Sequence, residues 1–321
     1  MEPLWENISS HKSFLFNGFA DLGALRPVVF IPVAILVIVA LFANSLLLHV
    51  IISQRSLHSP MYILIACMMC IDLSVPLLIL PNLVLNLLFD WKGVPLSACL
   101  AQMFLLHFLG TCQSTLLLWM ALDRYFAICM PLHYQERMSF PRFLRFVLPL
   151  LSRNLVMVSL VVTLAGRLSF CFSNIIDHCI CEHMALVELA CGTTSSNSAV
   201  GLMTVFFVTV LDFCFIITSY GVIFRSVLRS GKSGTKALHT CVTHIIVMVI
   251  SLALVLTVSI TYRTRDSLPG ATRVFISLMY LFIPSCFNPI IYGIRTTEIR
   301  QHRPRSDGGP AGAAPSGSLK Q

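Results

Sequence analysis

Charged side chains are scarce in this 321-residue chain: only 11% of the residues are charged, and 56% are hydrophobic. A soluble domain carries about 25% charged residues, so the composition indicates a membrane protein. The formal net charge of +8 does not by itself indicate a nucleic-acid partner, because Lys and Arg beside membrane spans report which loops face the cytoplasm. We therefore expect a lipid bilayer around the chain and no nucleic acid among its partners.

Signatures of catalysis are also missing from the sequence. It contains no glycine-rich phosphate loop, no metal-spaced His/Cys set of a soluble fold and no nucleophile beside a base. His178, Cys179, Cys181 and His183 lie close together, but an oxidising compartment favours disulfides over zinc for such cysteines. We predict no enzyme activity, no cofactor and no metal.

Seven stretches carry few or no charges and are long enough to cross a bilayer, which takes about 20 apolar residues in a helix. They cover residues 28–52, 60–88, 97–129, 146–166, 197–224, 237–262 and 274–294. The sequence thus predicts an all-α membrane protein, a seven-transmembrane-helix bundle over residues 27–300. Residues 1–26 precede it, and residues 301–321 form a tail rich in Pro, Gly, Ala and Ser that we expect to be disordered.

Basic residues are distributed unevenly between the two sides of the predicted bundle. The side with Arg55, Asp123, residues 124–145, residues 225–236 and the tail holds 14 Lys/Arg and 4 Asp/Glu, and the other side holds 7 and 8. Cytoplasmic loops carry the excess of basic residues, so we expect a cytoplasmic C-terminus and an extracellular N-terminus. The first residues do not resemble a removable signal peptide, so we expect the first span to direct insertion. Asn7 would then be an extracellular glycosylation site.

Five of the twelve cysteines lie on the predicted outer side, where disulfides persist. They are Cys99, Cys171, Cys179, Cys181 and Cys191. Five cysteines allow several pairings, and the residues alone do not choose between them.

The third predicted span ends in the triplet Asp123, Arg124 and Tyr125, where lipid meets water. An arginine that reaches the headgroups is the simplest explanation of such a helix end. The surrounding string MALDRYFAICMPLHY, residues 120–134, however, resembles the MAYDRYVAICxPLxY signature of olfactory receptors. Further motifs of that family follow in order: Pro60-Met61-Tyr62, Ser219-Tyr220, KALHTC at 236–241 with His244, and PSCFNPIIYG at 284–293.

The resemblance covers about residues 25 to 300. Within it, Arg153 and Asp212 resemble residues found in the class I, or fish-like, group of olfactory receptors. It implies a rhodopsin-like G-protein-coupled receptor in the plasma membrane, with Asp123, Arg124 and Tyr125 as its coupling motif. It also implies the disulfides Cys99–Cys181 and Cys171–Cys191, which leave Cys179 free.

The resemblance further implies a polar core of Asn44, Asp72, Asn288 and Tyr292. Asp72 either holds a cation there or pairs with Asn44 and Asn288. Many olfactory receptors have a glutamate where this chain has Gln113, which argues against a sodium site.

Candidate ligand-binding residues lie in the outer half of the bundle. His107, Thr111 and Ser114 share one face of the third span, and Arg263 lies at the outer end of the sixth span with Ser259 one turn beneath it. His183 follows Cys181 in the outer loop. A guanidinium and two imidazoles on one cavity would favour an anionic or strongly polar ligand. The alternative is an arginine that faces water and two packed histidines.

Arg153 and Asp212 lie on sequential spans, and we interpret them as a buried ion pair, with ligand contact as the alternative. Class I resemblance implies small polar odorants, notably carboxylic acids.

The predicted function is that of a receptor for a small volatile odorant that activates a stimulatory G protein and raises cyclic AMP. A receptor for a non-odorant metabolite in another tissue and a transporter are the alternatives. A transporter is disfavoured because the chain shows no two similar halves with broken helices in matching positions. An opsin is excluded because residues 274–294 contain no lysine for retinal. After Arg300 the family usually continues a short amphipathic, basic helix, whereas residues 304–321 show no apolar stripe and contain no cysteine for a palmitoyl anchor. We therefore expect weaker membrane docking or surface delivery.

Overall fold

The computed structural model describes residues 10–89, 93–171, 173–230, 235–264 and 268–295. Within these ranges, seven helices are long and apolar enough to cross a membrane, so the predicted seven-helix bundle is confirmed. They are α1 Phe30–Ser53, α2 Pro60–Leu88, α3 Leu96–Cys129, α4 Phe140–Gly166, α5 (Ser195–Thr204, the π-helical Val205–Val210 and Leu211–Ser230), α6 Thr235–Thr261 and α7 Gly270–Arg295. Asn7 and the predicted tail lie outside the described residues.

Several helices extend past the apolar stretches that predicted them. α4 begins at Phe140 rather than at residue 146, and α7 begins at Gly270 rather than at residue 274. Hydropathy detects only the part of a helix that lies in lipid, whereas the backbone hydrogen bonds continue into the interface. α6 ends at Thr261, so Arg263 lies in the turn that follows the helix, where its N–H donates to the Ile260 carbonyl at 2.9 Å.

α3 occupies the centre of the bundle and packs against α2, α4, α5 and α6, while α7 packs against α1, α2 and α6. Large apolar side chains such as Ile38, Phe42 and Phe206 point outward and are exposed. This outer surface suits lipid, in which helices satisfy their own backbone hydrogen bonds.

A three-stranded sheet covers one end of the bundle, which we call the mouth end. Strand β1, Ser13–Phe16, pairs antiparallel with β2, Gly93–Pro95, and parallel with β3, Ile175–Ile176. Phe14 and Phe16 are buried, and Phe14 packs edge-on against Phe170 with ring centroids 5.1 Å apart. The composition of residues 1–26 did not predict this sheet.

The loop between α4 and α5 is tied to the bundle by two disulfides. Cys99 bonds to Cys181 with their Cα atoms 5.2 Å apart, and Cys171 bonds to Cys191 with their Cα atoms 5.7 Å apart. Cys179 is free and buried. Because Cys181 is in a disulfide, the group of histidines and cysteines at 178–183 does not form a four-ligand metal site.

Candidate ligand-binding cavity

Beneath this loop lies a cavity of about 150 Å³, which we call the mouth cavity. Its walls come from α3, α4, α5, α6, α7 and the loop, and they are partly apolar, with Leu106, Val161, Val255 and Leu281. An engineered apolar cavity of about 150 Å³ binds benzene, so the mouth cavity suits a molecule of about six non-hydrogen atoms.

Five of the six candidate ligand-binding residues line the mouth cavity. They are His107, Thr111, His183, Ser259 and Arg263. Ser114, on the same face of α3, instead lines a smaller cavity deeper in the bundle. His107 and Thr111 therefore lie at the level of the mouth cavity, whereas Ser114 lies below it on the same face of α3.

Arg263 is held at the cavity by two backbone carbonyls. Its Nη1 donates to the Ser259 carbonyl at 2.8 Å, and its Nη2 donates to the Ser198 carbonyl at 3.2 Å. Its Nε is buried without a partner among the described residues. A guanidinium has five N–H donors, so donors remain available for a bound molecule.

The two predicted histidines meet at the cavity. The His107 Nδ1–H donates to the Met103 carbonyl at 2.9 Å, and the ring centroids of His107 and His183 are 6.3 Å apart. His183 is 4% exposed, and its Nε2 has no partner in the described part of the chain. Burial, with His107 and Arg263 nearby, lowers the pKa of His183 to about 3, so its ring is neutral at physiological pH.

Gly201 on α5 lets His183 and Arg263 approach each other. A Cβ atom at this position would lie 3.3 Å from His183 Cε1 and 3.6 Å from Arg263 Nη2. Both side chains therefore converge on one small region of the cavity wall.

Glu182, which was not among the predicted ligand-binding residues, also lines the mouth cavity. Its carboxylate accepts the Ala185 N–H at 2.7 Å and caps the short helix His183–Val187. Burial raises the pKa of Glu182 to about 7. Its position directly after Cys181, which is tied to α3, was the one available signal that its side chain would lie over the bundle.

Arg153 and Asp212 form an ion pair, and neither residue lines either cavity. The Arg153 Nη1 donates to Asp212 Oδ1 at 2.7 Å and its Nη2 to Oδ2 at 2.9 Å, and Asp212 is fully buried. Arg153 also donates to Thr115, Asn154 and the carbonyl of Phe207 in the π-helical turn of α5. Thr115 and Ser114 also donate to Asp212 Oδ2, at 3.2 and 3.4 Å, and Asn154 donates to Thr115 at 2.9 Å. None of these three residues was predicted as part of this network.

The polar core centres on Asp72, which is 1% exposed. Its carboxylate accepts hydrogen bonds from Asn288 at 2.9 Å and from Gln113 at 3.0 Å. Asn44 donates to the Ser285 carbonyl at 2.7 Å instead of to Asp72. Tyr292 lies one turn after Asn288 on α7, with its hydroxyl 4.0 Å from the sulfur of Met120.

At the opposite end of α3, the Asp123 carboxylate accepts a hydrogen bond from the Tyr134 hydroxyl at 2.7 Å. Asp123 is 1% exposed. The Nε of Arg124 is buried without a partner among the described residues. The triplet thus lies in the last two turns of α3, with the Asp123 carboxylate and the Nε of Arg124 buried in protein.

Seven spanning helices around a ligand-sized cavity, with a disulfide-bonded loop over it, define a multi-pass membrane protein of the seven-helix receptor class. A model of the olfactory receptor family matches residues 33–305. Olfactory receptor 52K1 of Homo sapiens is 35% identical over 92% of this chain and 95% of its own length, and olfactory receptor 51F2 of Homo sapiens is 34% identical over 94% and 89%. Olfactory receptor 51E2 of Mus musculus is 34% identical over 91% and 92%.

The chain belongs to the olfactory receptor family, and the predicted class I resemblance is confirmed by relatives of the 51 and 52 groups. Members of this family are G-protein-coupled receptors and not enzymes. The chain is a multi-pass protein of the plasma membrane.

Proposed function

We propose that this receptor recognises small odorants with a polar, acidic head group, of the carboxylic acid class, in the mouth cavity. The observation that carries the proposal is the convergence of Arg263, His107 and His183 on a cavity of about 150 Å³. An arginine binds a carboxylate through two parallel hydrogen bonds. The cavity size suits a molecule of about six non-hydrogen atoms, such as butanoic acid.

Two buried nitrogen atoms without partners support a polar ligand. The Nε of Arg263 and the Nε2 of His183 are both buried without hydrogen bonds to the described residues. Leaving such atoms unsatisfied costs about 1–3 kcal/mol each. A ligand carboxylate beside Gly201, where these side chains converge, would accept from the Nε–H of Arg263 and, with the His183 proton on Nε2, from that ring as well.

The apolar walls would hold the carbon chain of the ligand. Val161, Val255 and Leu281 are among the apolar side chains that line the cavity. Burial of each methylene group contributes about 0.8 kcal/mol. The ligand would therefore lie with its head group at the mouth end and its chain toward the bundle centre.

Ligand binding would then activate a stimulatory G protein. Agonist contacts with Ser259 and Arg263, at the mouth end of α6, would favour an arrangement in which the opposite end of α6 swings outward. That movement would expose Arg124 and the basic loops, which would face the cytoplasm because they carry the excess of Lys and Arg. The N-terminus, with Asn7, would lie outside the cell.

The test is cyclic AMP production in cells that express the receptor with an olfactory-type stimulatory G protein. Short acids, alcohols, aldehydes and ketones would be compared on wild type, Arg263→Ala and the control Arg167→Ala, at matched surface expression. Arg167 is exposed near the mouth end and does not line the cavity. Loss of a charged hydrogen bond costs about 1.5–3 kcal/mol, so we expect Arg263→Ala to weaken acids roughly 10- to 100-fold.

If wild-type receptor reaches the surface and no acid raises cyclic AMP, the proposed ligand class is wrong. An acid response that Arg263→Ala leaves unchanged would keep the receptor and remove Arg263 from its binding site. Equal losses in Arg263→Ala and Arg167→Ala would point to a general effect of charge at the mouth end.

A further inference from the structure

A second cavity of about 40 Å³, which we call the inner cavity, adjoins the mouth cavity on the side of the bundle centre. Its other walls include Phe213, Met248 and Pro284. Four residues line both cavities and therefore form the partition between them. They are Gly110 on α3, Thr209 on α5, Val255 on α6 and Tyr280 on α7.

The side chain of Tyr280 is the bulkiest part of this partition, and Gly110 is what makes room for it. A Cβ atom at Gly110 would lie 3.3 Å from the Tyr280 hydroxyl oxygen. That distance is tighter than an ordinary van der Waals contact, so the tyrosine reaches across the bundle into space that a side chain on α3 would otherwise take. Tyr280 thus closes the floor of the mouth cavity.

We infer that Tyr280 sets the longest carbon chain that this receptor accepts, by separating the mouth cavity from the inner cavity. The inference rests on the proposed function, in which the head group binds at Arg263 and the carbon chain points inward. Tyr280 lies about 15 Å along α7 from its first residue, Gly270, at about 1.5 Å per residue. It is therefore placed to meet the far end of a ligand and not its head group.

The surroundings of the partition fit a carbon chain. Val255 is apolar, and most of the inner cavity beyond it is apolar too, with Leu117, Phe213, Ile216 and Met248 beside the polar Gln113, Ser114 and Ser251. Its volume of about 40 Å³ exceeds the roughly 10–15 Å³ that one water-sized group needs by the same kind of measure. Removing the tyrosine ring would join this space to the mouth cavity and add the volume of the ring itself.

The experiment measures thermal stabilisation of the purified full-length receptor by straight-chain acids and, in parallel, by straight-chain alcohols of increasing length. Four proteins are compared: wild type, Tyr280→Ala, Tyr280→Phe and Phe213→Ala. Tyr280→Phe keeps the ring, and Phe213→Ala enlarges the inner cavity while the partition stays closed. Stabilisation reports binding without any requirement for G-protein coupling.

We expect Tyr280→Ala to move the optimal chain length upward by two or more carbons, while Tyr280→Phe and Phe213→Ala keep the optimum of wild type. Affinity of Tyr280→Ala for the longer acids should rise about fourfold for each methylene group that becomes buried. The same shift in the alcohol series, with no binding of acids, would keep the inference and overturn the acidic ligand class.

An optimum that stays unchanged in a folded Tyr280→Ala receptor would overturn the inference and leave the proposed function intact. An equal shift in Phe213→Ala would also overturn it, because the partition would then not be the limit. If neither series stabilises wild type at any length, both the inference and the proposed ligand class are wrong.

Discussion

Arg153 and Arg263 are two arginines close to the apolar interior of the same bundle, and their surroundings differ. Arg153 donates to both oxygens of Asp212 and to three further groups on α3, α4 and α5. Arg263 donates to two carbonyls and keeps its Nε without a partner in the described part of the chain. A buried charge with all its partners supplied by protein is structural, whereas one with spare donors on a cavity is suited to a ligand.

The difference follows from where each partner carboxylate lies. Asp212 faces Arg153 across two packed helices and is fully buried. Glu182 and Arg263 line the same mouth cavity, but none of the described hydrogen bonds joins them, and the Glu182 carboxylate instead caps a loop helix. Asp212 therefore satisfies the guanidinium of Arg153, whereas Glu182 leaves donors of Arg263 available for a ligand.

The largest expected effect is on the structural pair. Arg153→Met leaves the Asp212 carboxylate buried without its counter-charge, and breaking such a pair costs about 3–5 kcal/mol. We expect a large fall in the melting temperature of the purified receptor and a loss of surface expression, whereas Arg263→Ala should change neither.

The double variant Arg153→Met with Asp212→Leu serves as the control for that prediction. Replacing a buried ion pair by apolar residues is often nearly neutral, so this variant should recover most of the lost stability. An Arg153→Met receptor with unchanged stability would show that the pair is not structural.

The smaller expected effect is on the cavity. Glu182→Gln removes a negative charge that opposes an anionic ligand, while the amide oxygen keeps an acceptor for the Ala185 N–H. One charge in a partly screened site contributes on the order of 1 kcal/mol, so acid potency in the cyclic AMP assay should rise roughly fivefold. Alcohols of the same length provide the control, since their potency should stay unchanged.

The same residue predicts a pH dependence with a definite sign. Burial raises the pKa of Glu182 to about 7, so the group is mostly neutral at pH 6 and mostly charged at pH 8, while a simple carboxylic acid stays ionised. Acid potency of wild type should therefore be higher at the lower pH, and the profile of Glu182→Gln should be flatter. An identical pH profile in both proteins would rule out Glu182 as the titrating group.

The seven helices were predictable because apolar length alone determines which segments cross lipid. The helix ends were less predictable, since α4 and α7 continue beyond their apolar stretches to Phe140 and Gly270. Strand β1 was missed because its register depends on β2 and β3, which are far away in sequence.

The candidate site was predictable only where its residues follow from local helical spacing or from their own chemistry. His107 and Thr111 were found from helical spacing on α3, and both line the mouth cavity. Glu182 and Tyr280 were missed because their positions depend on how the loop and α7 pack against other elements. Arg263 was identified by its chemistry, but the carbonyls of Ser198 and Ser259 that hold it could only be seen in the fold.

The most direct test of whether Arg263 binds the ligand head group is to reverse the charge at this position and measure which head group the receptor prefers. Cyclic AMP responses of wild type and Arg263→Glu would be compared for an acid, an alcohol and an amine on the same four-carbon chain. The account predicts that wild type prefers the acid and that Arg263→Glu loses the acid and responds to the amine, because the cavity then holds two carboxyl groups. An acid response that persists in surface-expressed Arg263→Glu would contradict the account.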